Sequence, residues 1–264
     1  LSRIARIEWN GHVHYCTVEQ EHFRPLEGDP FTTWKETDQR IPRTEAKLLS
    51  PVQPCQILAI GLNYKEHAKE SGSPVPDAPL LFVKATSALN GPEESILLPS
   101  MAPNEVDYEA ELVIVIGQKV KNISPKEAPT AILGYTCGND VSARDCQLRL
   151  DKQWARGKSF DTFAPIGPWI ETDLDPSNLD VRSLLNGKVM QQGSTSDMIF
   201  DCAELVSYLS RCMTLFPGSI IMTGTPPGVG FARKPPVFLR EGDVIEVEIQ
   251  GIGTLRNPVL LDRP

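Results

Sequence analysis

Short apolar runs separated by turn residues dominate the chain. Ile57 to Ile60, Leu80 to Val83, Leu112 to Ile116, Ile132 to Cys137, Ile220 to Met222 and Val244 to Ile249 are brief and rich in β-branched side chains. Such lengths and content predict strands rather than helices. Near the N-terminus, Ile4 to Glu8 and His12 to Val18 flank Asn10-Gly11, and Val181 to Gln191 contains Asn186-Gly187. Asn-Gly between strand-like flanks predicts a two-residue hairpin, because both central residues must adopt positive φ.

Helices are few in this reading. Ser124 to Ala131, Ser142 to about Leu150 and Asp201 to about Leu215 each open with a capping-box pattern: Ser124 with Glu127, Ser142 with Asp145, Asp201 with Glu204. In the last, Leu205, Val206, Leu209 and Met213 share one face, which predicts packing on a sheet. The polar run Lys35 to Arg43 and the prolines at 51 and 54 mark a boundary. They divide a small β-rich unit, residues 1–50, from a main domain, residues 51–264. The 23 prolines and 19 glycines are spread between the strands, which suits many ordered turns, and there is neither an internal repeat nor a low-complexity tail.

The bulk numbers exclude several functions. With 34 acidic against 26 basic side chains, the net charge of −8 repels polyanions, so nucleic acid is not expected as a partner. The longest strongly apolar stretch, Leu112 to Ile116, is far short of the ~20 residues that span a bilayer. No membrane partner is expected. Six cysteines without a CxxC pair argue against a zinc site or a disulfide framework and for reduced thiols. That favours a cytoplasmic location, or a mitochondrial one where a targeting segment precedes Leu1.

The chemistry concentrates in Asp107-Tyr108-Glu109-Ala110-Glu111-Leu112. Alternate side chains of a strand share a face, so Glu109 and Glu111 point the same way, roughly 6 to 7 Å apart. The residues that follow are apolar on both faces, so the two acids sit where burial begins. They are either a solvated strand end, partners for nearby Lys or Arg, or ligands of a cation that compensates buried anions. A second acid, Asp140, follows the apolar run Gly134 to Cys137 in a comparable setting. An oxygen-only set without His or Cys suits a hard cation, Mg²⁺ or Mn²⁺ with Ca²⁺ admissible, and disfavours zinc.

Five segments, in order, resemble the motifs of the fumarylacetoacetate hydrolase superfamily: Gly61 to His67, Asp107 to Leu112, Gly134 to Asp145, Lys158-Ser159-Phe160-Asp161, and Thr223 to Gly230. The resemblance implies an α+β, predominantly β fold, a mixed β-sandwich roll with a variable N-terminal unit, usually as a homodimer. It implies metal ligation by Glu109, Glu111 and Asp140. In the acylpyruvate hydrolase and oxaloacetate decarboxylase-like branch it further implies an acid–base dyad, His67 and Glu70, on a short lid helix. Lys158 matches a lysine near the metal, and Thr225 a contact to the substrate carboxylate. Tyr64, Arg144 and Gln147 complete the candidate substrate contacts.

A 2-oxo acid can chelate one cation through its carboxylate and ketone oxygens, and the cation then stabilises the enolate left when a bond at C3 breaks. Hydrolysis of a 2,4-dioxo acid or decarboxylation of an oxaloacetate-like acid is the favoured reading. A keto–enol tautomerase is the alternative, and a catalytically silent metal-binding scaffold a third. By its residue type alone His67 reads first as a surface histidine in the polar run Tyr64 to Ser71, and the resemblance reverses that. Arg144 either clamps a substrate carboxylate or braces Asp145 or another nearby acid. The loop Thr223 to Gly230 is a tight turn or a carboxylate cradle, and it lacks the spacing and lysine of a Walker loop.

Overall fold

A computed structural model describes residues 3–263. The six apolar runs are all strands: Ile57–Gly61, Leu80–Lys84, Ala110–Ile116, Ile132–Asn139, Ile220–Met222 and Val244–Ile249. Both Asn-Gly hairpins form, Arg3–Trp9 with His12–Val18 and Asp180–Leu185 with Lys188–Ser194. Their turn residues take the required positive φ: Asn10 49° and Gly11 75°, Asn186 52° and Gly187 77°.

The elements assemble into a 13-stranded sheet, a five-stranded sheet and a two-stranded ribbon, with few helices, an α+β and mainly β architecture. Pairing is mixed. Most neighbours run antiparallel, whereas Ile220–Met222 runs parallel to Ile57–Gly61, and Ile96–Leu98 parallel to Gly253–Leu261. The first strand pairs with Ala164–Glu171 through Arg3 and Ile4, so the N-terminal strands continue the large sheet. Ala164–Glu171 escapes the apolar-run reading because Pro165 and Pro168 interrupt it, and proline is ordinarily kept out of central strands. Here the strand lies inside the sheet and its pairing with Ile132–Asn139 shifts register.

Ala110–Ile116 is buried along its whole length. Leu112, Ile114 and Ile116 pack with Leu205, Val206 and Leu209 of the helix Cys202–Cys212, while Val113 and Val115 pack on the opposite face with Ile57, Ile220 and Met222. That helix carries the expected capping box, Asp201 accepting from the Glu204 N–H and Glu204 from the Asp201 N–H. The other two helices depart from expectation. Ser124 to Ala131 is turn plus a single 3₁₀ stretch, Ala128–Ala131, and Glu127 accepts from both the Ser124 N–H and its hydroxyl. Ser142–Ala143 is drawn into a bridge with Val106–Asp107, and the chain then coils as a wide π turn, Cys146–Leu150, capped by Asp145. No helix among the described residues is long and apolar enough to cross a membrane.

Candidate active site

The antiparallel register sets Ala110 opposite Asn139 and Glu111 opposite Gly138, which brings Asp140 beside Glu109. Two further bonds fasten this end of the ladder: the Glu109 N–H donates to Asn139 Oδ1 at 2.9 Å, and the Asp140 N–H donates to the Glu109 carbonyl at 2.9 Å. Glu109, Glu111 and Asp140, all buried, each direct one oxygen to within 4.8 Å of the other two.

Three cations and a fourth acid surround them. Lys158, at the end of the short helix Ala155–Lys158, donates to Glu109 Oε2 at 2.9 Å and Asp140 Oδ2 at 2.6 Å, with its Nζ 5.0 Å from the Phe82 ring centroid. Arg144 donates to Asp107 Oδ2 at 2.9 Å, Glu109 Oε1 at 2.7 Å and Gln147 Oε1 at 2.8 Å, and stacks 4.4 Å from Phe231. Lys84 donates to Asp140 Oδ1 and, at 3.1 Å, to the Val141 carbonyl. Arg144 is therefore both a cavity residue and a brace, and its acidic partners are Asp107 and Glu109 rather than Asp145.

Electrostatics separates the acids. Burial would raise the Glu109 carboxyl, but Lys158 and Arg144 outweigh it and hold Glu109 below the usual carboxylate range. Glu111 accepts one N–H, from Gly224 at 2.8 Å; burial first, then the charges of Asp140 and Glu109, push it well up. Burial pulls Lys84 down, whereas Asp140 and Glu109 overcome burial and lift Lys158. Asp107, Glu109, Glu111 and Asp140 against Lys84, Arg144 and Lys158 leave the cluster one positive charge short when all are ionised. A hard divalent cation at the face shared by Glu109, Glu111 and Asp140 would more than offset that deficit, leaving one net positive charge, and would find an oxygen donor set of the right kind. The residues fit such an ion.

The cluster floors a cavity of about 210 Å³, smaller than the ~300–1,000 Å³ typical for drug-sized ligands. His67, Gln147, Lys158 and Thr225 line it, with an apolar rim from Leu62, Phe82, Leu148, Trp154 and Phe231. His67 is only 6% exposed. It lies on the helix Lys65–Glu70, with Nδ1 3.3 Å from Glu70 Oε2, and the Glu70 carboxylate also accepts the Gly228 N–H at 2.9 and 3.1 Å. The turn into that helix places Leu62 at φ 53°, a conformation unusual for a bulky residue. Asn63 clamps the turn, donating to the Phe200 carbonyl at 3.0 Å and the Thr223 carbonyl at 2.7 Å.

Two expected substrate contacts are placed differently. Tyr64 lies in the apolar core outside the cavity wall, fully buried and bridged to Met198, with its hydroxyl unpartnered among the described residues. The Thr225 hydroxyl lines the cavity but donates to the Ala110 carbonyl at 2.8 Å and accepts from Gln191 at 2.7 Å, so its proton is already committed. Lys84 and Asp107 were not singled out from the sequence. The one signal for Lys84 is a lysine closing the apolar strand Leu80–Lys84, and for Asp107 its place two residues before Glu109.

The mainly β fold buries three convergent carboxyls beside a histidine-lined cavity, an arrangement whose donor set could hold a metal. A family described as fumarylacetoacetate (FAA) hydrolase C-terminal matches residues 56–260, and one described as Rv2993c-like, N-terminal, matches residues 2–51. The chain belongs to the fumarylacetoacetate hydrolase family and is an enzyme of that family. It is 44% identical over 225 residues to the human protein named oxaloacetate tautomerase FAHD2A, mitochondrial, covering 83% of this chain and 71% of the relative. A fumarylacetoacetate hydrolase domain-containing protein 2 homolog from Dictyostelium discoideum is 50% identical over 235 residues, covering 84% and 77%. The crystal structure of a 2-hydroxyhepta-2,4-diene-1,7-dioate isomerase from Mycobacterium marinum superposes with TM-score 0.90 at 40% identity, covering all of both chains.

Proposed function

We propose that the chain interconverts the keto and enol forms of a small 2-oxo acid such as oxaloacetate, with Glu109, Glu111 and Asp140 holding Mg²⁺ or, in its place, Mn²⁺ or Ca²⁺. The observation that carries this reading is that Glu109 and Glu111, which converge with Asp140, share the wall of one small cavity with Lys158 and His67. Such an ion, when bound, supplies Lewis acidity toward a ketone oxygen. Arg144 and Lys158 offset the negative charge of a substrate acid, and the Gln147 amide, whose carbonyl end is occupied by Arg144, can donate to it. With Glu70 facing Nδ1, His67 presents Nε2 to the cavity. Nε2 accepts the proton from C3 and delivers it to the enol oxygen, so no atom is lost.

Tautomerisation needs this one proton-transfer group and no attacking water, and two of the three relatives named above carry a tautomerase or an isomerase name. C–C hydrolysis or decarboxylation would use the same residues but release a fragment. The test follows oxaloacetate by enol absorbance and by mass together. Fast enol loss at unchanged mass, reduced about 10²- to 10⁴-fold in His67→Ala and abolished by chelation, is expected. Release of CO₂ or of a carboxylic acid at the rate of the absorbance change would replace tautomerisation with cleavage.

A further inference from the structure

Every oxygen of Glu109 and Asp140 already carries a basic partner. Arg144 takes Glu109 Oε1, Lys158 takes Glu109 Oε2 and Asp140 Oδ2, and Lys84 takes Asp140 Oδ1. Glu111 Oε1 alone has none among the described residues, Oε2 accepting from Gly224. These basic groups are not equivalent. Arg144 and Lys158 line the cavity, whereas Lys84 is not part of its wall. Lys84 is 1% exposed, it closes a strand paired along its length with Ile57–Gly61, and its second bond goes to the Val141 backbone. It has nowhere else to go.

We propose that Lys84 is a positioning residue that sets which cation the site prefers, by reserving Asp140 Oδ1 so that Asp140 can offer an ion only Oδ2, the oxygen it shares with the cavity-lining Lys158. This rests on the reading of Glu109, Glu111 and Asp140 as metal ligands. Ca²⁺ takes six to eight oxygens at 2.3–2.6 Å and often draws both oxygens of a carboxylate. Mg²⁺ demands six at 2.0–2.1 Å and takes carboxylates one oxygen at a time. A carboxylate held to one oxygen thus penalises Ca²⁺ more than Mg²⁺. Loss of a nearby positive charge alone would tighten both ions alike, because both carry the same charge.

The test is titration calorimetry of the chelator-stripped protein with Mg²⁺ and with Ca²⁺, comparing wild type with Lys84→Met, which removes the donor at similar volume. The expected result is a shift of the Ca²⁺-to-Mg²⁺ affinity ratio toward Ca²⁺ by about tenfold, whatever happens to the absolute affinities. Equal tightening of both ions, or no change in either, overturns the role given to Lys84 while leaving the metal site intact. A wild-type protein that binds neither ion overturns the metal reading itself, and this proposal with it. Should K84M fail to fold, as circular dichroism would show, Lys84→Leu, which likewise lacks a donor, provides the same ratio.

Discussion

Two ion pairs of nearly equal length sit in very different surroundings. Lys158 lies 2.9 Å from Glu109 with the two side chains 2% and 8% exposed; Lys35 lies 2.8 Å from Glu27 with both more than half in water, 73% and 67% exposed. At the surface, water solvates each partner almost as well as its mate does, and salt screens what remains. In the buried cluster neither charge has that alternative. Deleting one partner there leaves another uncompensated, although the assembled pair is no guarantee of stability. Distance therefore says little about what an ion pair contributes; access to water decides it.

The largest effect that sharpens this contrast is expected from Glu109→Ala. It deprives Arg144 and Lys158 of the acid they share and removes one of the three proposed metal ligands, so turnover is expected to be abolished and stability to fall by about 3–5 kcal/mol. Chemical denaturation beside the oxaloacetate assay checks both. Undiminished turnover after chelation in this variant would remove the cluster from the chemistry.

A middle case is Glu70, half-buried between His67 and the Gly228 N–H. Burial raises its carboxyl, but the hydrogen bonds of His67 and Gly228 outweigh that and hold it below the ordinary 4.5. Because the folded value is the lower one, the stabilisation it confers is complete above about pH 4.5 and is lost as pH falls through the depressed value. Melting temperatures recorded through that acid range should drop less steeply in Glu70→Gln than in wild type, and turnover at neutral pH should fall about tenfold as His67 loses its anionic partner. Parallel acid profiles would break the link. The smallest effect belongs to Lys35→Ala, for which no resolvable change in melting temperature or turnover is expected; a measurable loss would show that exposed pairs matter here after all.

Much of the framework was legible in the chain because its signals are local. Asn10-Gly11 and Asn186-Gly187, each between strand-forming flanks, take positive φ, and Asp201 with Glu204 closes a capping box within a single turn. The E-x-E spacing put Glu109 and Glu111 on one face before any partner was known. Ser142 to Leu150 was misread because strand pairing of Ser142–Ala143 with Val106–Asp107 overrides the local cap signal, and that pairing also carries Arg144 to Asp107. Tyr64 sits in the core, off the cavity wall, for a similar reason, its backbone bridging to Met198.

What the sequence by itself determined is six strands, two hairpins with their turns, one helix and three acids at the point where burial begins. Only the tertiary structure decided what those acids meet. Lys84, Arg144 and Lys158 reach them from separate segments, and Asp140 reaches Glu109 through the register of two antiparallel strands. Local backbone preferences are written in neighbouring residues, whereas the balance of buried charge depends on which distant groups share a space that water has left.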